Sequence, residues 1–139
     1  MNTDEHQVKA EMTEGESLVA LNELTEKILG CAYKVSNALG SGFLEKVYDN
    51  ALAHELRKAG LAVEQQSEVE VRYDGVNVGS YRADLLVARS VVVELKAVKA
   101  LDEIHVAQCL NYLKASGLRL CLLLNFGKPK LEVRRLIHG

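Results

Sequence analysis

Asp84, Glu94 and Lys96 put two carboxylates and an amine into the largely apolar segment Tyr81-Arg82-Ala83-Asp84-Leu85-Leu86-Val87-Ala88-Arg89-Ser90-Val91-Val92-Val93-Glu94-Leu95-Lys96. Charge in such surroundings is costly unless it is paired or holds a metal. Asp84 and Glu94 lie equally far from Arg89, the middle of an Ala88-Arg89-Ser90 turn. Residues symmetric about a hairpin turn become cross-strand partners, with Cβ atoms about 4.5 to 5.5 Å apart. Strand alternation adds Lys96 to the face of Glu94 and turns Val91, Val93 and Leu95 the other way. Two carboxylates so close repel each other unless a cation lies between them, and hard oxygen ligands suit Mg²⁺ or Mn²⁺. An amine beside such an ion can position a water or steady a developing negative charge. The plainer reading is an edge strand whose Glu94 and Lys96 shield it from other chains. The apolar runs Leu85-Leu86-Val87 and Val91-Val92-Val93 favour instead central strands covered on both faces.

The elements that must position these groups follow from hydrophobic spacing. Leu24, Ile28, Cys31, Val35 and Leu39 recur as on a helix that starts near Asn22, a plausible cap, and stops at Gly40-Ser41-Gly42. A second helix is expected over residues 43–59, ended by Gly60. Val63, Val69, Val71 and Tyr73 alternate with polar residues up to Asp74-Gly75, the strongest short hairpin signal in the chain. The strands of Asp84 and Glu94 come next. A third helix is expected over residues 101–115, then a buried strand over 118–124 and a more polar one over 131–137. The order ααβββαββ makes an α/β sandwich around a mixed sheet, because the third helix lets the strand of Leu118 run parallel to that of Glu94.

On a helical wheel at about 100° per residue, with Leu44 at zero, Val47, Tyr48, Ala51, Leu52 and Leu56 share one arc. Glu45 falls between Leu52 and Leu56 and so points toward the core. Glu55 shares the arc, where an ion pair would satisfy it. Glu45 is the better functional candidate because it opens a helix after a glycine loop, at the rim of a sheet. In the third helix Gln108 and Tyr112 share a face. Gln108 can hydrogen-bond a phosphate or the lysine, while Tyr112 fits equally well as part of an apolar face with Ile104, Cys109 and Leu113. His105 has no second histidine at ligand spacing and reads as a surface or supporting residue.

A chain of 139 residues, 48% hydrophobic and 26% charged, suits one soluble globular domain. Residues 1–17 are polar and acidic and are expected to form a flexible tail ahead of a domain at 18–139; they lack the features of a signal peptide or membrane anchor. A net charge of −2 restricts any nucleic-acid contact to local patches, for which Arg72, Arg82, Lys99, Lys114 and Arg119 are candidates. Cys31, Cys109 and Cys121 are odd in number and widely spaced, which fits buried reduced thiols in a cytoplasmic protein.

With those residues in place, the chain resembles the GxxExxY family, a branch of the PD-(D/E)XK nuclease superfamily. The resemblance rests on Gly42-Phe43-Leu44-Glu45-Lys46-Val47-Tyr48, Tyr81-Arg82-Ala83-Asp84-Leu85-Leu86-Val87, Val93-Glu94-Leu95-Lys96-Ala97, Gln108-Cys109-Leu110-Asn111-Tyr112-Leu113-Lys114 and Leu123-Leu124-Asn125-Phe126-Gly127, in that order. It implies a restriction-endonuclease-like fold and Mg²⁺-dependent cleavage of DNA phosphodiesters. Asp84, Glu94 and Glu45 would be the acidic metal residues, Lys96 would support the attacking water, and Gln108 with Tyr112 would match a glutamine-tyrosine motif. Ala83 stands where the superfamily has proline, and Ser36 where many relatives have a histidine. RNA is a further possible substrate, although the sequence displays no aromatic platform of the kind single-strand RNA readers use. The rival reading is a non-catalytic module that binds nucleic acid, a protein partner or a second copy of itself.

Overall fold

The apolar spacing from Leu24 to Leu39 produces α1 (Glu14–Leu39), the first element of a computed structural model that describes residues 14–139. Asn22 lies inside this helix and does not cap it; its side-chain oxygen accepts a hydrogen bond from Arg135 near the far end of the chain. Of the tail expected over residues 1–17, residues 14–17 belong to the first turn of this helix, and residues 1–13 lie outside the described residues. After a glycine loop come α2 (Glu45–Lys58), β1 (Val63–Tyr73), β2 (Val76–Val87) and β3 (Val91–Lys96). Then follow α3 (Glu103–Ser116), β4 (Leu120–Asn125) and β5 (Glu132–Ile137). The expected order ααβββαββ is the one observed.

The five strands form one sheet in sequence order, antiparallel except where β3 pairs in parallel with β4. A parallel pair needs a crossover, and α3 supplies it. α1 and α2 cover one face, packing Ile28, Ala32, Val35, Tyr48, Leu52 and Leu56 against Leu85, Val87, Val91, Val93 and Leu95. α3 covers the other, where Cys109, Tyr112 and Leu113 meet Ala83, Val92, Cys121 and Leu123. This is the α/β, restriction-endonuclease-like sandwich that the resemblance implied. Fully burying one such aliphatic side chain contributes about 1.5 to 3 kcal/mol, so β3 and β4, apolar on both faces, are the anchor of the sheet. Among the described residues no helix is long and apolar enough to cross a membrane.

The β1/β2 hairpin changes sides partway along. Leu85 and Val87 pack under α1 and α2, and Val63 joins them, whereas Ala83 and Val69 pack on the α3 side. Alternation alone would keep odd-numbered residues on one face, so the strands must break step between these points. The break is at Gln66, which adopts φ 60° opposite Asp84, between the pairs Gln65↔Leu85 and Ser67↔Ala83. A left-handed glutamine costs about 1 to 2 kcal/mol. The strained step turns the outer arm of the hairpin toward α3 and leaves Asp84 at the crossing.

Candidate functional site

The ladder between β2 and β3 runs from Val87↔Val91 to Leu85↔Val93, and the next pair in that register is Asp84 and Glu94. There the side chains take over from the backbone. The Asp84 amide donates to Glu94 Oε2 at 3.1 Å, and the Leu95 amide donates to Asp84 Oδ2 at 2.8 Å. Each carboxylate thus holds the strand that carries the other, and the two strands fork around the acids. The turn that sets this symmetry has Ala88 and Arg89 both in the left-handed region, closed by Ser90 N–H to the Val87 carbonyl at 3.0 Å.

A cavity of about 450 Å³ opens over the fork, lined by Ser80, Tyr81, Arg82, Asp84, Glu94, Lys96, Gln108 and Tyr112. Burial pushes the Glu94 carboxyl up to about 8, with the charge of Asp84 as the second cause. Burial likewise raises Asp84, with the Leu95 amide opposing and Asp49 adding. Both shifts describe negative charge held in a confined space without a full counter-charge, a setting that a divalent cation relieves. The donor set fits such an ion, because Mg²⁺ takes one or two carboxylates and completes its shell with water or phosphate oxygens. Asp84 Oδ1 and Glu94 Oε1 are engaged in none of these hydrogen bonds.

Glu45 arrives from the other layer. Gly40 and Gly42 take φ values of 70° and 112°, and Tyr48 fixes the loop they form. Its hydroxyl donates to the Gly40 carbonyl at 2.6 Å and accepts from the Phe43 amide at 3.2 Å, while its ring stacks on Phe126 at 4.8 Å. The Gly42-x-x-Glu45-x-x-Tyr48 spacing is a brace that sets where α2 starts. Glu45 heads the helix face that buries Tyr48, Asp49, Leu52 and Leu56 but is itself exposed, because the first turn overhangs the sheet. Burial beside the sheet raises the carboxyl of Glu45, with Lys96 and a hydrogen bond from Ala97 opposing. One expectation needs correction here. Leu44 and Val47, expected in the buried arc, are 81% and 38% exposed, since that arc is rotated toward Asp49. Among the described residues no group of three or more His, Cys, Asp and Glu side chains forms a ready-made metal cluster, although Glu45 lies near enough to Asp84 and Lys96 for their charges to act on it. Glu55 pairs with Lys34 at 3.1 Å and Lys58 at 3.5 Å.

Gln108 is exposed at the cavity. Tyr112 is buried in the apolar face of α3, yet its hydroxyl donates to Ser67 Oγ at 3.3 Å and borders the same cavity. Ile104, expected beside it in that face, is 59% exposed. His105 completes a capping box, its Nδ1 accepting from the Asp102 amide at 3.1 Å. Ser36 is buried within α1. All three cysteines are free thiols.

Two residues escaped the sequence reading. Asp49 is 3% exposed and accepts from Gln65 at 3.0 Å, Gln66 at 3.4 Å and Lys46 at 3.4 Å. Gln66 also hydrogen-bonds the Asp84 carboxylate, so its amide links the buried Asp49 to the half-buried Asp84. The one available signal was that Asp49 follows Glu45 by a helical turn; nothing in an alternating strand marks Gln66.

The model of the PD-(D/E)XK nuclease superfamily matches residues 22–136, which includes every site residue named above. No curated protein matches the chain in sequence. Among solved structures, SSO0001 aligns with a TM-score of 0.55 at 21% identity over 68% of this chain and 50% of that one. An alkaline exonuclease (LHK-Exo) from Laribacter hongkongensis aligns at 0.45 with 13% identity, over 68% and 56%. The chain therefore spans about half the length of either structure.

Proposed function

This chain belongs to the PD-(D/E)XK nuclease superfamily, and from that premise we propose that it is a Mg²⁺- or Mn²⁺-dependent nuclease hydrolysing phosphodiester bonds of DNA. The observation that carries the reading is the fork at Asp84 and Glu94, where two half-buried, mutually repelling carboxylates face a cavity beside Lys96. Asp84, Glu94 and Glu45 would hold the ion. A divalent ion there supplies Lewis acidity to a phosphate oxygen and lowers the pKa of a bound water. Lys96 orients the attacking water and steadies the charge that develops on phosphorus oxygens. Gln108 donates its amide to a phosphate oxygen entering the cavity, and the Tyr112 hydroxyl, held by Ser67, borders the approach. Ala97, beside the Glu45 carboxylate, ties the α2 terminus to the end of β3. The finer resemblance to the GxxExxY family accords with the Tyr48 brace.

The test is cleavage of labelled DNA with Mg²⁺ or Mn²⁺ by the parent, Asp84→Ala and Glu94→Ala. Both variants should fall to background while remaining folded by circular dichroism. An Asp84→Ala protein that cuts at the parental rate ends the proposal. The alternative is a non-catalytic binding module on the same fold. Calorimetric titration with Mn²⁺ separates the two: the nuclease reading requires binding that Glu94→Ala removes.

A further inference from the structure

A second and larger hollow, about 850 Å³, lies alongside the acidic cavity between the outer arm of the β1/β2 hairpin and the C-terminal half of α3. Its walls are Val69, Val71, Tyr73 and Val78 from the arm, with Asn111 and Lys114 from the helix. Tyr81 lines both this hollow and the cavity over Asp84, so the two adjoin at its ring. On α3, Gln108 borders the acidic cavity while Asn111 and Lys114 border the hollow, one helical turn after another. The arm itself reaches from Asp84 to Val76, roughly 25 Å at about 3.3 Å per residue.

We infer that this groove holds a single strand of DNA and leads it to the carboxylates; the inference rests on the nuclease reading and names its substrate class. Tyr73 is 75% exposed, and Tyr81 is steadied by Asn111 Nδ2 at 3.4 Å from its hydroxyl. Two aromatic rings among valines suit unstacked bases, whose faces are apolar, and offer nothing to a duplex that hides them. The register sets Tyr81 opposite Val69 and Tyr73 opposite Val76, and both rings line the one hollow, an aromatic pair that the linear sequence does not display. Cations suited to phosphates stand at the rim. Lys114 makes no ion pair among the described residues, and the pairs of Arg72 with Glu70 at 2.7 Å and Arg82 with Glu68 at 3.1 Å are exposed enough to exchange partners.

Fluorescence anisotropy in EDTA, where no cleavage occurs, tests the assignment with labelled oligo-dT, oligo-rU and a duplex of equal length. Oligo-dT should bind most tightly, and Tyr73→Ala should weaken it about tenfold while leaving duplex binding unchanged. Lys114→Ala should flatten its salt dependence. Tyr73 is exposed, so its replacement leaves the core intact, which a melting curve verifies. Tighter binding of duplex or oligo-rU, or no effect of Tyr73→Ala, overturns the inference. So does a parent dimer in sedimentation that Tyr73→Ala dissociates without changing oligo-dT binding, because the groove then belongs to a second copy. Metal-dependent cleavage is read separately: its absence together with intact oligo-dT binding removes the nuclease reading and leaves this assignment standing.

Discussion

Glu94 is the residue on which pH acts most directly. Its folded value of about 8 stands above the ordinary glutamate value of about 4.3, so between those limits the folded chain keeps a proton that the unfolded chain has released. The unfolded state then binds fewer protons, and stability falls as pH rises through that window; the raised Asp84 acts with the same sign. Calorimetry of the metal-free protein should show the melting temperature dropping between pH 5 and pH 8, by on the order of 5 °C more in the parent than in Glu94→Gln. A parent that melts higher at pH 8 contradicts the assigned shift. Metal binding competes with the same proton, so Mn²⁺ affinity should climb with pH until about 8 and then level off. Gln66 acts at this scale too, because its amide serves both Asp49 and Asp84. Gln66→Ala should push the Asp84 carboxyl further up, visible as a shifted acid limb in the cleavage profile.

At the scale of elements, the brace made by Tyr48 separates structure from activity. Tyr48→Phe keeps the stack on Phe126 but loses both hydrogen bonds that fix the loop ahead of Glu45. Urea unfolding should register a loss of about 1 to 2 kcal/mol, and cleavage should fall further than that loss explains because Glu45 is no longer held at the rim. Gly127 is a second constraint: a Cβ there would lie 2.3 Å from Val98 N and O, in the loop that Asn125 pins with a bond from the Val98 amide at 3.0 Å. Gly127→Ala should cost about 1 to 3 kcal/mol and displace Ala97 from Glu45. Arg89→Gly, by contrast, should stabilise by about 1 kcal/mol with cleavage unchanged, since φ 54° suits glycine and the side chain is exposed. These elements differ in how far the sequence discloses them. Symmetry about Arg89 put Asp84 opposite Glu94 because a tight turn fixes register locally. Asp74-Gly75 and the apolar run of β4 were equally plain. Asp49 was hidden because the rotation of α2 on the sheet, which leaves Leu44 and Val47 outside, is decided by packing between layers. Gln66 was hidden because a left-handed residue without glycine leaves no local mark; tertiary contacts hold it there.

Across the whole molecule, the acids stand where a hairpin passes from one face of the sheet to the other, so both helical layers reach them: α2 through Glu45 and Asp49, α3 through Gln108 and Tyr112. An ion bound at that junction ties the layers together, and its removal should be felt globally. At a hundredfold excess over Kd, Mn²⁺ should raise stability by about 2.7 kcal/mol, a gain that EDTA reverses and Glu94→Ala never shows. The fork between β2 and β3 also equips the protein with its own indicators. Because the Asp84 and Leu95 amides donate to carboxylates in place of ladder carbonyls, their proton resonances should move when those acids ionise or capture a cation, while the Leu85 and Val93 amides, inside the regular ladder, stay still. Two peaks in a nitrogen-proton spectrum would then record occupancy of the pocket with no substrate present and no probe attached.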